Sequence, residues 1–159
     1  MSMENKYAGF WWRFIAYLLD GAILGTIQFI FFIPFIGTIV YTAIKSSDGD
    51  FSEAQALGIA GAIAGTLLLF VLLSIVAGWL YFALMESSKY QGTIGKKVLG
   101  IIVTDENGNR ISFGRATGRY FAKIISGMTL WIGYIIAGFT DKKQALHDII
   151  ANTLVWKKP

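Results

Sequence analysis

Two long apolar runs that contain no charged side chain constrain this chain more than any other feature. The first extends from Gly21 to Ile44 and the second from Ala54 to Met85. A helix needs about 20 apolar residues to cross the hydrocarbon core of a bilayer, so each run is long enough for one crossing. Charged residues make up only 15% of the 159 residues, against roughly 25% in soluble domains. The sequence therefore predicts an integral membrane protein and excludes a soluble enzyme and a disordered linker.

The expected fold class is an all-α membrane protein with a small cytoplasmic β-hairpin. We expect two long transmembrane helices, the first kinked at Pro34 because proline interrupts helical hydrogen bonding. The apolar stretch from Ile124 to Thr140 is near the lower length limit for crossing, so it is either a short third span or a re-entrant helix. The predicted boundaries are helix 1 at about 7–44, an external loop at 45–53, helix 2 at about 54–85, a cytoplasmic hairpin at 86–112, helix 3 at about 113–139 and a C-terminal segment at 140–159.

The distribution of charge between these runs predicts the orientation. The loop 45–53 carries one basic and three acidic residues, whereas the segment 86–123 carries seven basic and three acidic residues. Basic loops stay on the cytoplasmic side, so we expect a multi-pass protein of the bacterial cell membrane with a cytoplasmic N-terminus. The net charge of +4 is explained by basic residues that flank spans, and no nucleic-acid partner is expected. The first run is too long for a signal peptide, so we expect it to be retained as a span.

The predicted hairpin rests on β-branched residues and a turn signal. Val98–Thr104 favours a strand, and Asn107-Gly108 is a strong type I′ turn pair. Folding about that turn would place Asp105 opposite Arg110 and Thr104 opposite Ile111.

A helix with a basic stripe is expected after the hairpin. Ser112 can cap a helix that begins near Phe113, in which Arg115, Arg119 and Lys123 recur every fourth residue. Such a stripe is typical of a helix face that meets lipid headgroups, and the alternative is a specific site for an anionic ligand.

Two charges within the first predicted helix indicate a polar seam. Arg13 and Asp20 are seven residues apart and therefore lie on one helical face, with Asp20 near the middle of the hydrocarbon core. An ionised carboxylate there must be paired, protonated or hydrated. A direct pair is unfavourable because the Arg13 side chain leans toward the helix N-terminus, away from Asp20. Asp148 near the C-terminus is the expected partner of Arg13, and His147, the only histidine, is expected to orient Asp148 or to lie at the interface.

These charged residues resemble those of a known protein family. Arg13, Asp20 and Asp148 resemble the triad that gives the RDD family of bacterial membrane proteins its name. Three strings also resemble the family's segments: Tyr7-Ala8-Gly9-Phe10-Trp11-Trp12-Arg13-Phe14, Gly92-Thr93-Ile94-Gly95-Lys96-Lys97-Val98-Leu99-Gly100 with Ser112-Phe113-Gly114-Arg115-Ala116, and Leu146-His147-Asp148 with Ala151-Asn152-Thr153-Leu154-Val155. Asn152 stands where the family is associated with glycine. The resemblance implies one RDD-like membrane domain over 1–159 and a loose association with cation–proton exchange or cation conduction.

No enzymatic signature is found in the sequence. Cysteine is absent, and neither a nucleophile elbow nor a P-loop nor a dinucleotide fingerprint occurs, so we expect no enzyme, no cofactor and no metal centre. The string 92–95 is loosely similar to a phosphate-binding loop, but a simple connection between helix and hairpin is the more economical explanation.

Three functional classes follow. In the first, Asp20, Asp148, Arg13 and His147 bind a small cation or protons along a transport pathway. In the second, the protein is an accessory or assembly subunit whose buried charges fix helix register. The third, a membrane enzyme, has the least support. Small-residue rows such as Gly61-x-x-x-Gly65 favour close helix packing, within one chain or in the homo-oligomer that we expect.

Overall fold

The computed structural model describes residues 6–47, 52–128 and 132–158 and divides into two compact units. One unit comprises Ile23–Ala77, here called the apolar unit, and the other comprises Met1–Ala22 with Gly78–Pro159, here called the charged unit. The elements in chain order are α1 Phe10–Ser47, α2 Glu53–Ser87, α3 Ile94–Val98, β1 Ile101–Asp105, α4 Phe113–Met128, α5 Ile132–Ile135, a 3₁₀ turn Ile136–Gly138, α6 Leu146–Ile150 and β2 Thr153–Lys157.

The apolar unit contains the C-terminal part of α1 and the N-terminal part of α2. Phe32 packs against Phe70 with ring centroids 4.6 Å apart, while large apolar side chains such as Phe31 and Leu68 are exposed. A folded soluble domain does not leave apolar surface of this extent in water, whereas lipid covers it without cost. Among the described residues, the two helices long and apolar enough to cross a membrane are Phe10–Ile44 and Glu53–Ser87. The prediction of two long helices that are apolar enough to span a membrane is confirmed.

Helix α1 extends through Pro34 as a single element. The Thr38 hydroxyl donates a hydrogen bond to the Pro34 carbonyl over 3.0 Å, and the helix ends at Ser47. Residues 35–44 therefore belong to the same helix. The predicted external loop lies largely outside the described residues, since 48–51 are not described.

The sheet in the charged unit corrects the predicted hairpin. Strand β1 pairs with the C-terminal strand β2 in antiparallel register, with Val103 opposite Val155, instead of with residues 110–112. Both valines are fully buried. Pairing with β2 buries both strands against the core, which an isolated hairpin could not do, and such a hairpin is marginal in water.

A turn and the predicted helix cap follow β1, but the turn is not the type I′ turn predicted, because Gly108 has a positive φ and Asn107 does not. The Asp105 carboxylate accepts hydrogen bonds from the backbone N–H groups of Asn107 and Asn109, which builds an Asx-type turn over this segment. The Ser112 hydroxyl accepts a hydrogen bond from the Arg115 N–H, and α4 begins at Phe113. The strand partner and the turn type were therefore wrong, whereas the helix cap is confirmed.

The third apolar stretch does not form the one helix predicted over 113–139. Helix α4 ends at Met128, and α5 packs against it: a Cβ added at Gly133 would lie 2.8 Å from the Cβ of Ser126. The hydroxyl of Tyr134 also donates to the Lys123 carbonyl over 3.3 Å. Basic side chains of α4 form ion pairs with acidic groups of other helices. A helix embedded in hydrocarbon would leave these basic side chains unpaired.

The short helix α3 approaches α1 closely at Gly95. A Cβ added at Gly95 would lie 2.3 Å from the Ala16 carbonyl oxygen, a distance that real contacts do not reach. The obstructing atom belongs to the backbone of α1, so it cannot move aside as the end of a flexible side chain could. Glycine at this position is therefore a requirement of the packing of α3 on α1.

Replacing Gly95 tests this contact. We expect Gly95→Ala to lower stability by about 1–3 kcal/mol or more, as overpacking does, in thermal or chemical unfolding of the detergent-solubilised protein. Gly118→Ala is the matched control, because nothing lies within 4 Å of a Cβ added there and alanine favours the helix interior. Equal stabilities of the two variants would contradict the assigned contact.

Candidate functional site

The centre of the charged unit is Arg119, whose side chain is fully buried. One terminal nitrogen donates to both carboxylate oxygens of Glu86 at 2.7 Å each. The other terminal nitrogen and Nε donate to Oδ1 of Asp148 at 2.6 and 2.8 Å. A guanidinium presents five donors in a planar fork, so it can bridge two carboxylates in this way. Arg119 thereby joins α2, α4 and α6.

Arg13 of α1 approaches the same Asp148 from the other side. Its guanidinium hydrogen-bonds Oδ2 of Asp148, and its remaining nitrogens donate to the carbonyl oxygens of Ala8 at 2.8 Å and Lys143 at 2.6 Å. Asp148 also accepts a hydrogen bond from the Ala145 N–H at 2.9 Å. The predicted contact between Arg13 and Asp148 is therefore present.

Two lysines complete the group that we call the charge cluster: Arg13, Glu86, Lys96, Arg119, Lys123 and Asp148. The Lys96 Nζ donates to Oε1 of Glu86 at 2.5 Å. The Lys123 Nζ lies 3.7 Å from the same oxygen and 4.1 Å from the centroid of the Phe82 ring. Lys123 is thus held by one longer ion pair and by a cation–π contact.

The cluster holds more positive than negative groups. Its four basic side chains face only two carboxylates. Burial alone would raise the pKa of Asp148, but the positive charges of Arg13 and Arg119 hold it well below its usual range. Burial lowers the pKa of Lys123 to about 7, since attraction to Glu86 is opposed by repulsion from Lys96 and Arg119. The pKa of Lys96 is also lowered by burial, and that of Lys123 lies near neutrality.

Asp20 forms a second centre that is separate from the charge cluster. Its carboxylate accepts hydrogen bonds from the Tyr81 hydroxyl at 2.8 Å, the Thr93 hydroxyl at 2.5 Å and the Gly95 N–H at 2.8 Å. The side chain is 1% exposed, and within the described residues no basic group forms an ion pair with it. All three donors are neutral, so they stabilise a negative charge without cancelling it.

His147 lies beside the charge cluster as a neutral group. Its Nδ1 is 3.3 Å from the Ser126 hydroxyl and its Nε2 is 3.6 Å from Oδ1 of Asp148. Burial holds the pKa of His147 well below its usual value, with Arg119 and Lys123 adding to the effect. We therefore expect His147 to stay uncharged at neutral pH.

The structure divides the predicted seam into two centres. Arg13, Asp148 and His147 meet at the charge cluster, whereas Asp20 binds the 93–95 segment. The loop that is loosely similar to a phosphate-binding loop is therefore occupied by a carboxylate of the chain itself. Within the described residues no three acidic or histidine side chains group as metal ligands would.

Sequence reasoning missed the partners that Glu86 and Arg119 provide. The interpretation of Arg115, Arg119 and Lys123 as one lipid-headgroup stripe was wrong, because Arg119 is buried between carboxylates while Arg115 is 42% exposed. A usable signal did exist, since Glu86 is the first charge after the second apolar run. An acidic residue at that place needs a basic partner on a neighbouring element.

A cavity of about 160 Å³ lies in the charged unit and touches both centres. Its lining includes Asp20 from one centre and Arg13, Lys123 and His147 at or beside the other. Aromatic side chains, including Phe14 and Tyr17, form much of the remaining wall. The cavity is thus the space through which a small ligand could reach both centres.

A double-mutant cycle measures the contact between Arg13 and Asp148. We expect Arg13→Ala and Asp148→Asn to be non-additive in unfolding free energy, with a coupling of about 0.5–3 kcal/mol, since the two side chains share hydrogen bonds. Arg110→Ala combined with Asp148→Asn is the control, because Arg110 is exposed and should add independently. Additivity in both cycles would exclude an energetic contact between Arg13 and Asp148.

Two curated relatives cover almost the entire chain. "Uncharacterized protein YxaI" of Bacillus subtilis (strain 168) is 40% identical over 152 residues, which is 95% of this chain and 97% of the relative. "Uncharacterized membrane protein YteJ" of the same strain is 30% identical over 159 residues, or 96% of this chain and 82% of that protein. No solved structure matches the chain.

The name of the second relative agrees with the two exposed apolar helices, and the partly buried Arg13 with the buried Asp20 and Asp148 agrees with the resemblance noted in the sequence. Neither the family description nor the names of these relatives mention an enzymatic activity. The RDD family profile matches residues 7–152, and the chain is a member of the RDD family of membrane proteins.

Proposed function

We propose that this RDD-family membrane protein moves protons, or a small monovalent cation, with Asp20 as the ion-binding carboxylate. The proposal rests on which of the three buried carboxylates are neutralised by a basic side chain. Glu86 and Asp148 each form ion pairs, whereas Asp20 has only neutral donors among the described residues. A buried anion of this kind attracts a proton or a cation to complete its charge balance.

The position of Asp20 supports the same proposal. The residue belongs to a helix able to span a membrane and lines the cavity of about 160 Å³. In the proposed mechanism Arg13 and Asp148 hold the cavity wall in place through their mutual ion pair. His147 lines the cavity as a neutral hydrogen-bonding group. An ion would meet Asp20 in the cavity, because the other carboxylates are already neutralised.

The alternative function is that of a non-transporting accessory or assembly subunit. A specific observation favours it: within the described residues, no buried side-chain nitrogen or oxygen lacks a hydrogen-bond partner. A fully satisfied network is what a structural role requires, since it fixes the register of several elements and needs no ligand. This alternative predicts a stable fold and no ion movement.

The orientation, the assembly and the absence of enzymatic activity belong to the same proposal. The basic segment 86–123 supports a cytoplasmic N-terminus in the bacterial cell membrane. Glycines of α2, such as Gly58, Gly61 and Gly65, leave open space where a Cβ would stand, which supports close approach of a second copy in a homo-oligomer. We propose no enzymatic activity, because the described residues that line the cavity include no serine, threonine or cysteine nucleophile.

Asp20→Asn separates transport from architecture. Asparagine retains an acceptor for Tyr81 and Gly95, and Thr93 can rotate its hydroxyl to accept from the new amide. We therefore expect normal folding and size, but pH-driven proton flux into liposomes reduced to the level of protein-free vesicles, because an amide does not exchange a proton in this range. Asp141→Asn is the control, since Asp141 is exposed and should leave flux unchanged.

Two results of this experiment would contradict the proposal. Undiminished flux in a well-folded Asp20→Asn protein would remove Asp20 from the pathway. Flux that is absent from the native protein itself, with either protons or alkali cations as the driven ion, would favour the accessory role.

A further inference from the structure

The cavity beside the charge cluster has a surplus of positive charge that the transport proposal does not use. Four basic side chains line it, Arg13, Lys96, Arg119 and Lys123, and Asp20 is its only acidic lining residue among those described. Glu86 and Asp148, which are not among the lining residues, neutralise two of these positive charges. An excess of positive charge in a poorly hydrated space is unfavourable unless an anion accompanies it.

Lys123 is the basic group with unused hydrogen-bonding capacity. The Nζ donates no hydrogen bond of normal length to any described residue, since its nearest carboxylate oxygen lies 3.7 Å away. It is held instead over the Phe82 ring. By contrast, the guanidinium nitrogens of Arg119 are committed to Glu86 and Asp148.

The walls of the cavity are mostly apolar. Phe14 and Tyr17 of α1 line it, and both are more than one-third exposed on the surface of a helix able to span a membrane. A ligand in this cavity would therefore meet both cationic groups and aromatic surface. That combination fits an amphiphile with an anionic head.

We propose that the cavity binds the phosphate group of an anionic phospholipid, with Lys123 as the principal contact and the acyl chains along Phe14 and Tyr17. A phosphodiester carries one negative charge and several acceptor oxygens, which matches the charge surplus and the free donors of Lys123. The proposal does not depend on transport, because Asp20 takes no part in it.

The Lys123 pKa of about 7 supports this assignment. The charged groups that act most on Lys123 are Glu86, Lys96, Arg119 and Asp148, from α2, α3, α4 and α6. Arg13 and Asp20 of α1 and His147 of α6 line the same cavity. An anion next to Lys123 would stabilise its protonated form, so binding should be stronger at pH 6 than at pH 9. Zwitterionic lipid should show no such dependence.

The experiment measures the thermal stability of the full-length protein in detergent micelles doped with phosphatidylglycerol or with phosphatidylcholine of the same acyl chains. A ligand that binds only the folded state raises Tm in proportion to its occupancy. We expect phosphatidylglycerol to raise Tm in a saturable manner, and phosphatidylcholine to have little effect. Lys123→Gln should weaken the apparent affinity for phosphatidylglycerol roughly tenfold, as the loss of one charge-assisted hydrogen bond would.

A folding check on the test variant and one control variant distinguish binding in the cavity from general attraction of lipid to basic surfaces. Lys123→Gln removes a charge from an over-positive cluster, so it should fold at least as well as the native chain without lipid. Lys89→Gln removes an exposed lysine outside the cavity lining and should keep the native response to phosphatidylglycerol.

Three outcomes would overturn the proposal. These are equal Tm shifts from the two lipids, a phosphatidylglycerol response that Lys123→Gln leaves intact, and an equal response to inorganic phosphate at the same concentration. The last outcome would assign the cavity to a soluble anion instead of a lipid.

Discussion

The charged unit depends on one buried guanidinium, that of Arg119, placed between two carboxylates. Moving a guanidinium and two carboxylates out of water costs several kcal/mol per ion, and only close, fully hydrogen-bonded geometry offsets this. Arg119 meets that requirement with donors 2.6–2.8 Å from Glu86 and Asp148. Because the two acids come from α2 and α6, their common partner fixes how three helices pack, and Arg13 then adds α1 through Asp148.

The division of charge into two centres gives each centre a different capacity. The carboxylates of the charge cluster are neutralised by protein cations, so they are poor places for a mobile cation, and the excess of basic groups favours an anion. Among the described residues Asp20 has neutral donors only, which is the basis of the transport proposal. Residues of both centres line one cavity of about 160 Å³. The transport proposal concerns its acidic group, and the lipid proposal concerns its basic groups.

The long helices could be predicted from the sequence because the bilayer sets the minimum length of a spanning helix and requires most of its residues to be apolar. The Arg13–Asp148 pair could be predicted because a charge in such a helix requires a partner. The pairing of β1 with β2 could not, since it joins residues about 50 positions apart, and neither strand carries a signal of its partner. The basic stripe of α4 was misinterpreted for the same reason. A spacing of four residues shows that the basic side chains share one helix face, but only the packing shows that Arg119 on that face is buried.

Replacement of Arg119 by an uncharged side chain of similar length is the most direct test of the central role of this residue. We expect Arg119→Met to lower the unfolding free energy by about 3–5 kcal/mol in detergent, as the loss of one partner from a buried ion pair does. Arg115→Met, one turn earlier on the same helix and 42% exposed, should change stability little. If Arg119→Met were as stable as Arg115→Met, the charged unit would not depend on the Arg119 bridge.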